Sequence, residues 1–411
     1  MLNRFRIFAM KEELLKQYQY YKSLNLNINM ARGKPSKEQL DLSMPMLDLV
    51  NSKSNLIFED NDYRNYGLLD GTVECQRFMG KLMGIDADHV IVYGSSSLMI
   101  MHDLLDKSML HGVCGNTPWV KLDKIRWLCP VPGYDRHFAL TESLGIEMIN
   151  IPMDDNGPDM DLIEKYVKDE SVKGIWCIPQ YSNPSGITYS DEVVKRFAAL
   201  KPAAKDFRIY WDEAYISQLA FDGKANKLAN IYDEARKNGN EDIVYMLSST
   251  SKMTFHGSGV SALGCSDNNL KDVEKYLKYE TICFDKLNQL RHALFFKDEK
   301  TIEEHMKKHA ALMKPKFDLV LNTFEHEISD LASYSHPRGG FFLSLYVSNK
   351  AKEVVTMCKE LGVTLTGAGA AYPYHHDPDN SHIRIAPTYL SLEELETATK
   401  VICLVIKILN S

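Results

Sequence analysis

The sequence of 411 residues has no Cys-x-x-Cys pair among its eight cysteines, which removes the commonest zinc and iron–sulfur spacings. It has no apolar run long enough to cross a bilayer; the C-terminal stretch Val401-Ile402-Cys403-Leu404-Val405-Ile406 is stopped by Lys407. Basic residues are not in excess: 48 Lys and Arg against 55 Asp and Glu give a formal charge of -7, so nothing points to a polyanion partner. No internal repeat and no low-complexity linker is present, which argues against solenoids, rods and long disorder. No Gly-x-Ser-x-Gly elbow occurs, so a serine hydrolase is not expected. The first ten residues carry Arg4 and Arg6 but too few apolar residues before Lys11 for a signal peptide, and predict a flexible or helical lead-in.

The cysteines are scattered, several in apolar strand-like runs such as those holding Cys129 and Cys177, and read as buried free thiols of a reducing cytoplasm. His375-His376-Asp377 has metal-ligand residue types, but it lies in a proline-containing polar loop without a partner at ligand spacing and reads as a solvated loop; no metal is expected.

What is present is a chain of ordinary globular composition, 45% hydrophobic and 25% charged, with length for two or three domains. Short apolar runs rich in Ile, Val, Tyr and Trp alternate with helical patterns. Strands are predicted over His89–Tyr93, Ile125–Cys129, Gly174–Ile178, Arg208–Trp211 and Ile243–Leu247, with a helix over Asp191–Leu200 among those between them. This alternation predicts an α/β fold with a mostly parallel sheet covered on both faces. From about residue 297 the pattern changes to a long amphipathic helix over Lys300–Phe324, a strand over Gly340–Val347, a helix over Ala351–Leu361 and a strand over His382–Ile385. A capping box at Ser391-Leu392-Glu393-Glu394 opens a last helix. The expected division is a large domain over 50–295 and a smaller α+β domain made from 1–49 and 296–411.

Ligands of open parallel sheets bind beyond the carboxyl ends of the strands, so polar residues there carry the chemistry. The first predicted strand runs into Gly94-Ser95-Ser96-Ser97 and then a helix; free amides and three hydroxyls suit a phosphate, although a plain helix cap has the same look. Pro132-Gly133-Tyr134 places an aromatic ring past a strand. Asn183-Pro184-Ser185-Gly186 fixes a tight loop that can aim the Asn183 amide. Asp212 ends an apolar strand, where a carboxylate is costly without a cationic partner, and Tyr215 follows three residues later. Ser249-Thr250-Ser251-Lys252 sets a lysine beside a hydroxyl-rich turn, a candidate Schiff-base nucleophile or an ordinary surface lysine.

Taken together and in order, these motifs resemble the fold-type I, pyridoxal-phosphate-dependent class I aminotransferases. Tyr66-Gly67-Leu68-Leu69-Asp70-Gly71, Gly339-Gly340-Phe341 and Arg384-Ile385-Ala386-Pro387 complete the set. Ala31-Arg32-Gly33-Lys34-Pro35-Ser36, Arg64-Asn65-Tyr66-Gly67 and Asn288-Gln289-Leu290-Arg291-His292 look like the subgroup Ic, or MocR-like, aspartate aminotransferases. A MocR regulator would carry an N-terminal DNA-binding domain, for which no room is expected ahead of motifs that begin near residue 32.

The resemblance implies roles for particular residues. Lys252 would hold pyridoxal 5'-phosphate and, once freed by the incoming amino acid, act as base and acid for the proton shift. Asp212 would pair with the pyridinium nitrogen and keep the ring an electron sink. Asn183 and Tyr215 would bind the cofactor's 3-oxygen, and Tyr134 would stack on its ring. Ser95, Ser96, Ser97 and Ser249 would hold the phosphate, with Tyr66 reaching it from a second subunit of a homodimer. Arg384 would grip the substrate α-carboxylate beside the Gly33 backbone, with Asn183 alongside. Arg32 and Arg291 are the candidates for a second, side-chain carboxylate. The family's phosphate-pairing arginine is replaced here by Val260. The implied activity is transfer of the amino group of an acidic amino acid, aspartate or glutamate, to a 2-oxo acid by a ping-pong cycle; a β-lyase or decarboxylase on the same scaffold, or a non-catalytic ligand-sensing module, are the alternatives. The partners implied are small molecules, with neither nucleic acid nor membrane.

Overall fold

The computed structural model describes the backbone of residues 2–411 and the side chains from residue 11 onward. An eight-stranded sheet organises the middle of the chain. Its order is Val90–Val92, Ser261–Cys265, Val244–Ser249, Arg208–Glu213, Val172–Cys177, Arg126–Val131, Glu147–Asp154 and Gly157–Pro158. The pairs from Val244–Ser249 through Glu147–Asp154 are parallel, with Leu247 opposite Asp212 and Trp211 opposite Cys177. Only Ser261–Cys265 and Gly157–Pro158 run against the rest. All five predicted strands are present, and the expectation of a mostly parallel sheet holds.

Side-chain alternation puts each strand to work on both faces. Ile209 and Trp211 join one apolar cluster with Val194 and Phe197 of the Asp191–Ala198 helix, whereas Tyr210 and Tyr245 pack on the other face with Ile100 and Leu104 of the Ser97–His111 helix. The Glu147–Asp154 and Ser261–Cys265 strands were not anticipated. The first alternates buried and exposed residues, and the second is short, glycine-containing and follows a Gly-Ser-Gly turn that masks its pattern.

A third cluster is built from the two ends of the chain. Ile28 and Asn29 pair in parallel with Val363 and Thr364, and Ile28 and Met30 pack with Phe317, Phe324, Val401 and Val405. Thr366 Oγ1 donates to the Ala31 carbonyl and Thr388 Oγ1 to the Lys34 carbonyl, each at 2.7 Å. A three-stranded antiparallel sheet of Ala332–Tyr334, Leu343–Val347 and His382–Ile385 lies here. The strand expected from Gly340 begins only at Leu343, because Gly340 adopts φ +85° and its backbone presses on Tyr181. The capping box forms as expected: Ser391 Oγ accepts from Glu394 N at 3.2 Å, and Glu394 returns an acceptor to Ser391 N at 3.1 Å. The long helix spans Glu299–Ile328 with Pro315 inside it, and the first helix spans Leu2–Ser23.

Among the described residues no helix is long and apolar enough to cross a membrane. All eight cysteines are free; six are buried, and Cys114 is exposed against expectation.

Candidate active site

Because the parallel strands share a direction, their carboxyl ends open on one edge. There Gly94–Ser97, Tyr134, Asn183, Asp212 and Lys252 converge. They meet the chain-end segments at a cleft of about 670 Å³ lined by Arg32, Gly33, Ser96, Ser97, Tyr134, Asn183, Asp212, Tyr215, Lys252 and Arg384. Ten of the fourteen residues singled out from the sequence thus share one cavity.

Lys252 follows the Val244–Ser249 strand in a single helical turn and reaches back over the Phe341 ring, 4.8 Å from its centroid. Its Nζ donates to the Gly33 carbonyl at 3.4 Å. Burial pushes the amine down to about 8; Asp212 opposes that shift and the Arg384 charge adds to it. A lysine near pH 7–8 balances amine and ammonium, as a group that must both take and give a proton requires.

Asp212 is the last residue but one of the Arg208–Glu213 strand, almost fully buried, and its Oδ1 has no hydrogen-bond partner. Oδ2 lies 3.4 Å from His137 Nε2. A buried carboxylate without a hydrogen bond to either oxygen, in a residue that lines the cleft, is poised for a cationic or N–H ligand group. His137 escaped the sequence reading, although it lies one helical turn after Tyr134, a spacing that puts both on one face. Its ring stacks on Trp176 with centroids 4.5 Å apart and meets Tyr134 edge-on at 5.0 Å.

Burial raises the hydroxyls of Tyr134, to about 12, and of Tyr215. Asn183 is buried and its Oδ1 lies 3.5 Å from Arg384 Nη1. Arg384 stands on the His382–Ile385 strand over the Phe342 ring, 5.0 Å away, and pairs with Asp135. The helix beginning at Ser97 has no side-chain cap from Ser96, which leaves its first amides available to an anion at the cleft wall.

Four predicted residues stand outside the cleft. Ser249 is buried; its hydroxyl accepts from Ser251 N at 3.1 Å and donates to the Ser95 carbonyl at 3.2 Å, and Ser251 is the serine of that turn that lines the cavity. Ser95 and Arg291 face a neighbouring pocket of about 250 Å³ with Gly257, Ser258 and Asn288. The Asn288–His292 stretch lies on the Lys286–Phe295 helix, whose turn carries Arg291 to that side. Tyr66 is 78% exposed on a loop whose Asn65 and Gly67 carbonyls accept from Lys286 Nζ. Val260 is buried and its amide donates to Thr250 Oγ1.

The cleft also holds residues to which the sequence motifs assign no role. Asp135, Lys34, Arg136 and His375 line it, so the loop expected to be merely solvated supplies a wall residue. Asp377 of that loop is instead buried, with its carboxylate taken by the Ser381 and His382 amides at 2.8 Å each. His256, four residues after Lys252, has both ring nitrogens buried without partners, and burial together with the Lys252 charge lowers it to about 2. Among the described residues, the one cluster with metal-ligand geometry is Asp86, Asp88 and His89, away from the cleft.

Comparisons with known proteins agree with this geometry. The profile of the aspartate amino-transferase family matches residues 5–411. An aspartate aminotransferase of Corynebacterium glutamicum is 40% identical over 96% of this chain and 92% of its own length. The crystal structure of an aspartate transaminase from the same organism superimposes with a TM-score of 0.94 at 38% identity, covering 98% of this chain and 96% of that one. The α-aminoadipate aminotransferase LysN of Thermus thermophilus shares the fold at a TM-score of 0.76 and 18% identity, over 97% and 95% of the two chains. The chain belongs to the aspartate amino-transferase family, whose members are pyridoxal-phosphate-dependent aminotransferases.

Proposed function

We propose that this aminotransferase takes its amino group from an acidic amino acid, aspartate or glutamate, and passes it to a 2-oxo acid. The observation that carries the reading is one cleft that brings together the Lys252 amine, the buried Asp212 carboxylate with an unpartnered oxygen, and the buried Arg384 guanidinium. Those residues fit pyridoxal phosphate: Lys252 for the aldehyde carbon, the Asp212 carboxylate for the pyridinium N–H, Tyr134 for the ring face, Asn183 and Tyr215 for the 3-oxygen, and the amides and hydroxyls at Ser96, Ser97 and Ser251 for the phosphate. When bound, the cofactor supplies an electron-withdrawing ring in conjugation with the substrate's α-carbon.

The chain's own groups supply the rest. Arg384 holds the α-carboxylate and so orients the α-hydrogen toward Lys252. Lys252 is placed to take that proton and to give one back, a double duty that its lowered proton affinity suits. Asp212, almost fully buried, would pair with the ring nitrogen and favour its protonated form. Phe341 and Phe342 wall the amine and the guanidinium from solvent. For a second carboxylate the cleft offers Arg32, with Lys34 and Arg136 beside it. Arg291 opens on the adjoining pocket and falls behind Arg32 for that role.

The reading includes a cytoplasmic homodimer, with Tyr66 exposed for a neighbouring subunit's site and all eight thiols free. It also retains the division into 50–295 and the two chain ends. The test is a panel of single amino acids mixed with cofactor-loaded enzyme while cofactor absorbance is followed. Aspartate and glutamate should change it, and alanine and aromatic amino acids should not. The reverse pattern removes the dicarboxylate reading, and release of ammonia in place of a transferred amino group points to a lyase. Sedimentation at micromolar concentration tests the dimer.

A further inference from the structure

Arg384 is 7% exposed, and a guanidinium buried to that degree needs a partner before any substrate arrives. Its donors are nearly all engaged. Nη1 donates to Asp135 Oδ1 at 2.8 Å and to Asn183 Oδ1 at 3.5 Å, Nε to Thr366 Oγ1 at 3.3 Å, and Nη2 to the Ala31 carbonyl at 3.4 Å. The Asp135 bond is the short one and the only one that carries opposite charge. Asp135 lies directly after Tyr134, at the first position of the Asp135–Ser143 helix, where the free amides favour an anion. Its side chain is 28% exposed and lines the same cleft, so it can turn to water when displaced.

A substrate carboxylate that binds with two parallel N–H bonds needs donors on two guanidinium nitrogens. With four of the five N–H groups committed, it must take at least one that is already in use. Two carboxylates on one guanidinium repel, and the more exposed of them gives way at the lower cost.

We infer that Asp135 is a displaceable counter-ion of Arg384: it occupies the α-carboxylate site of the free enzyme and is exchanged for the substrate's carboxylate on binding. Asp135 thus sets the affinity of the site, weakening every carboxylate ligand by the same factor while keeping the empty site ordered. The inference rests on the reading of Arg384 as the carboxylate-binding residue.

The experiment uses cofactor-loaded enzyme and measures binding of succinate, a dicarboxylate without an amine to react, by calorimetry, together with KM and kcat for aspartate. D135N keeps the shape and an acceptor oxygen but removes the charge. It should tighten succinate and lower KM by about three- to tenfold, with kcat changed by less than about twofold. D135E, which keeps the charge, should stay within about twofold of the parent. R384Q should weaken succinate by at least about tenfold. If D135N leaves binding unchanged or weakens it while R384Q abolishes it, Asp135 merely positions Arg384 and the exchange is wrong. If R384Q has no effect on succinate, the assignment of Arg384 itself fails and the inference falls with it.

Discussion

His137 Nε2 lies 3.4 Å from Asp212 Oδ2, and both side chains are almost completely removed from solvent. Trp176 fixes the imidazole from one side, and its indole in turn donates to Thr141 Oγ1 at 2.8 Å, so the ring cannot swing away without breaking a packed stack. H137F keeps the stack and deletes the nitrogen that faces the carboxylate. Asp212 then loses a polar neighbour inside a buried site, and with it part of what orients its carboxylate. The expected outcome is a fall of roughly tenfold in kcat/KM and weaker cofactor binding, with Tm changed by only a few degrees. Unchanged kinetics would make His137 a packing residue.

Lys252 carries its function at a cost to the cofactor-free fold. Its pKa falls from 10.5 to about 8 on folding, chiefly through burial. The folded chain therefore binds fewer protons than the unfolded chain between about pH 8 and 10.5. The penalty is full below pH 8 and fades as pH rises through that window. K252M should lose at least about a thousandfold in transamination. As cofactor-free protein it should melt higher than the parent at pH 7, with the gain shrinking toward pH 10.5. A lower Tm at pH 7 contradicts the buried-amine account.

The large sheet and its ligand edge were legible because strand ends with Gly, Ser, Asn, Asp and Lys after short apolar runs have few other uses. Lys252, Asp212 and Asn183 stand at or just beyond such ends and line one cleft. Asp135 and His137 carry no such local signal, since a helix brings them to Arg384 and Asp212, far away in sequence. Arg291 shows the same limit: its motif suits the family, and the direction of its side chain, toward an adjoining pocket, comes from the helix that holds it. The carboxyl-end loop at His375 looked like a polar surface turn, yet the fold places it at the cleft wall. Local pattern locates elements, and side-chain direction is settled by packing between elements.

Gly33 is held to hydrogen by its neighbour. A Cβ there would sit 2.4 Å from Phe342 Cζ and 2.8 Å from Cε1, and that ring backs Arg384. G33A must move either the ring or the Arg32–Lys34 segment. A destabilisation of about 1–3 kcal/mol is expected, together with a rise of roughly tenfold in KM for carboxylate substrates from the misplaced guanidinium. Combining G33A with F342L should recover part of the stability, as measured by urea denaturation. Failure to do so means the clash is not with Phe342.

Glu213 follows Asp212 and is buried to 6% exposure, with Trp211 Nε1 donating to one oxygen at 2.9 Å and Gln180 Nε2 to the other at 3.2 Å. Burial raises its pKa to about 7; the two donors oppose the shift, and the neighbouring Asp212 charge adds to it. The folded chain thus holds a proton that the unfolded chain releases above about 4.5. Stability from this group is present below pH 4.5 and is lost as pH rises through 7. E213Q presents the same shape without the charge: its carbonyl can accept from Trp211, and its amide can donate to a flipped Gln180. The variant should gain stability over the parent at pH 8, by up to about 3 kcal/mol, and little at pH 5. Urea denaturation at the two pH values measures the difference. An equal effect at both would show that Glu213 does not titrate in this range, and a loss at pH 8 would show that its charge is needed by the site next to it.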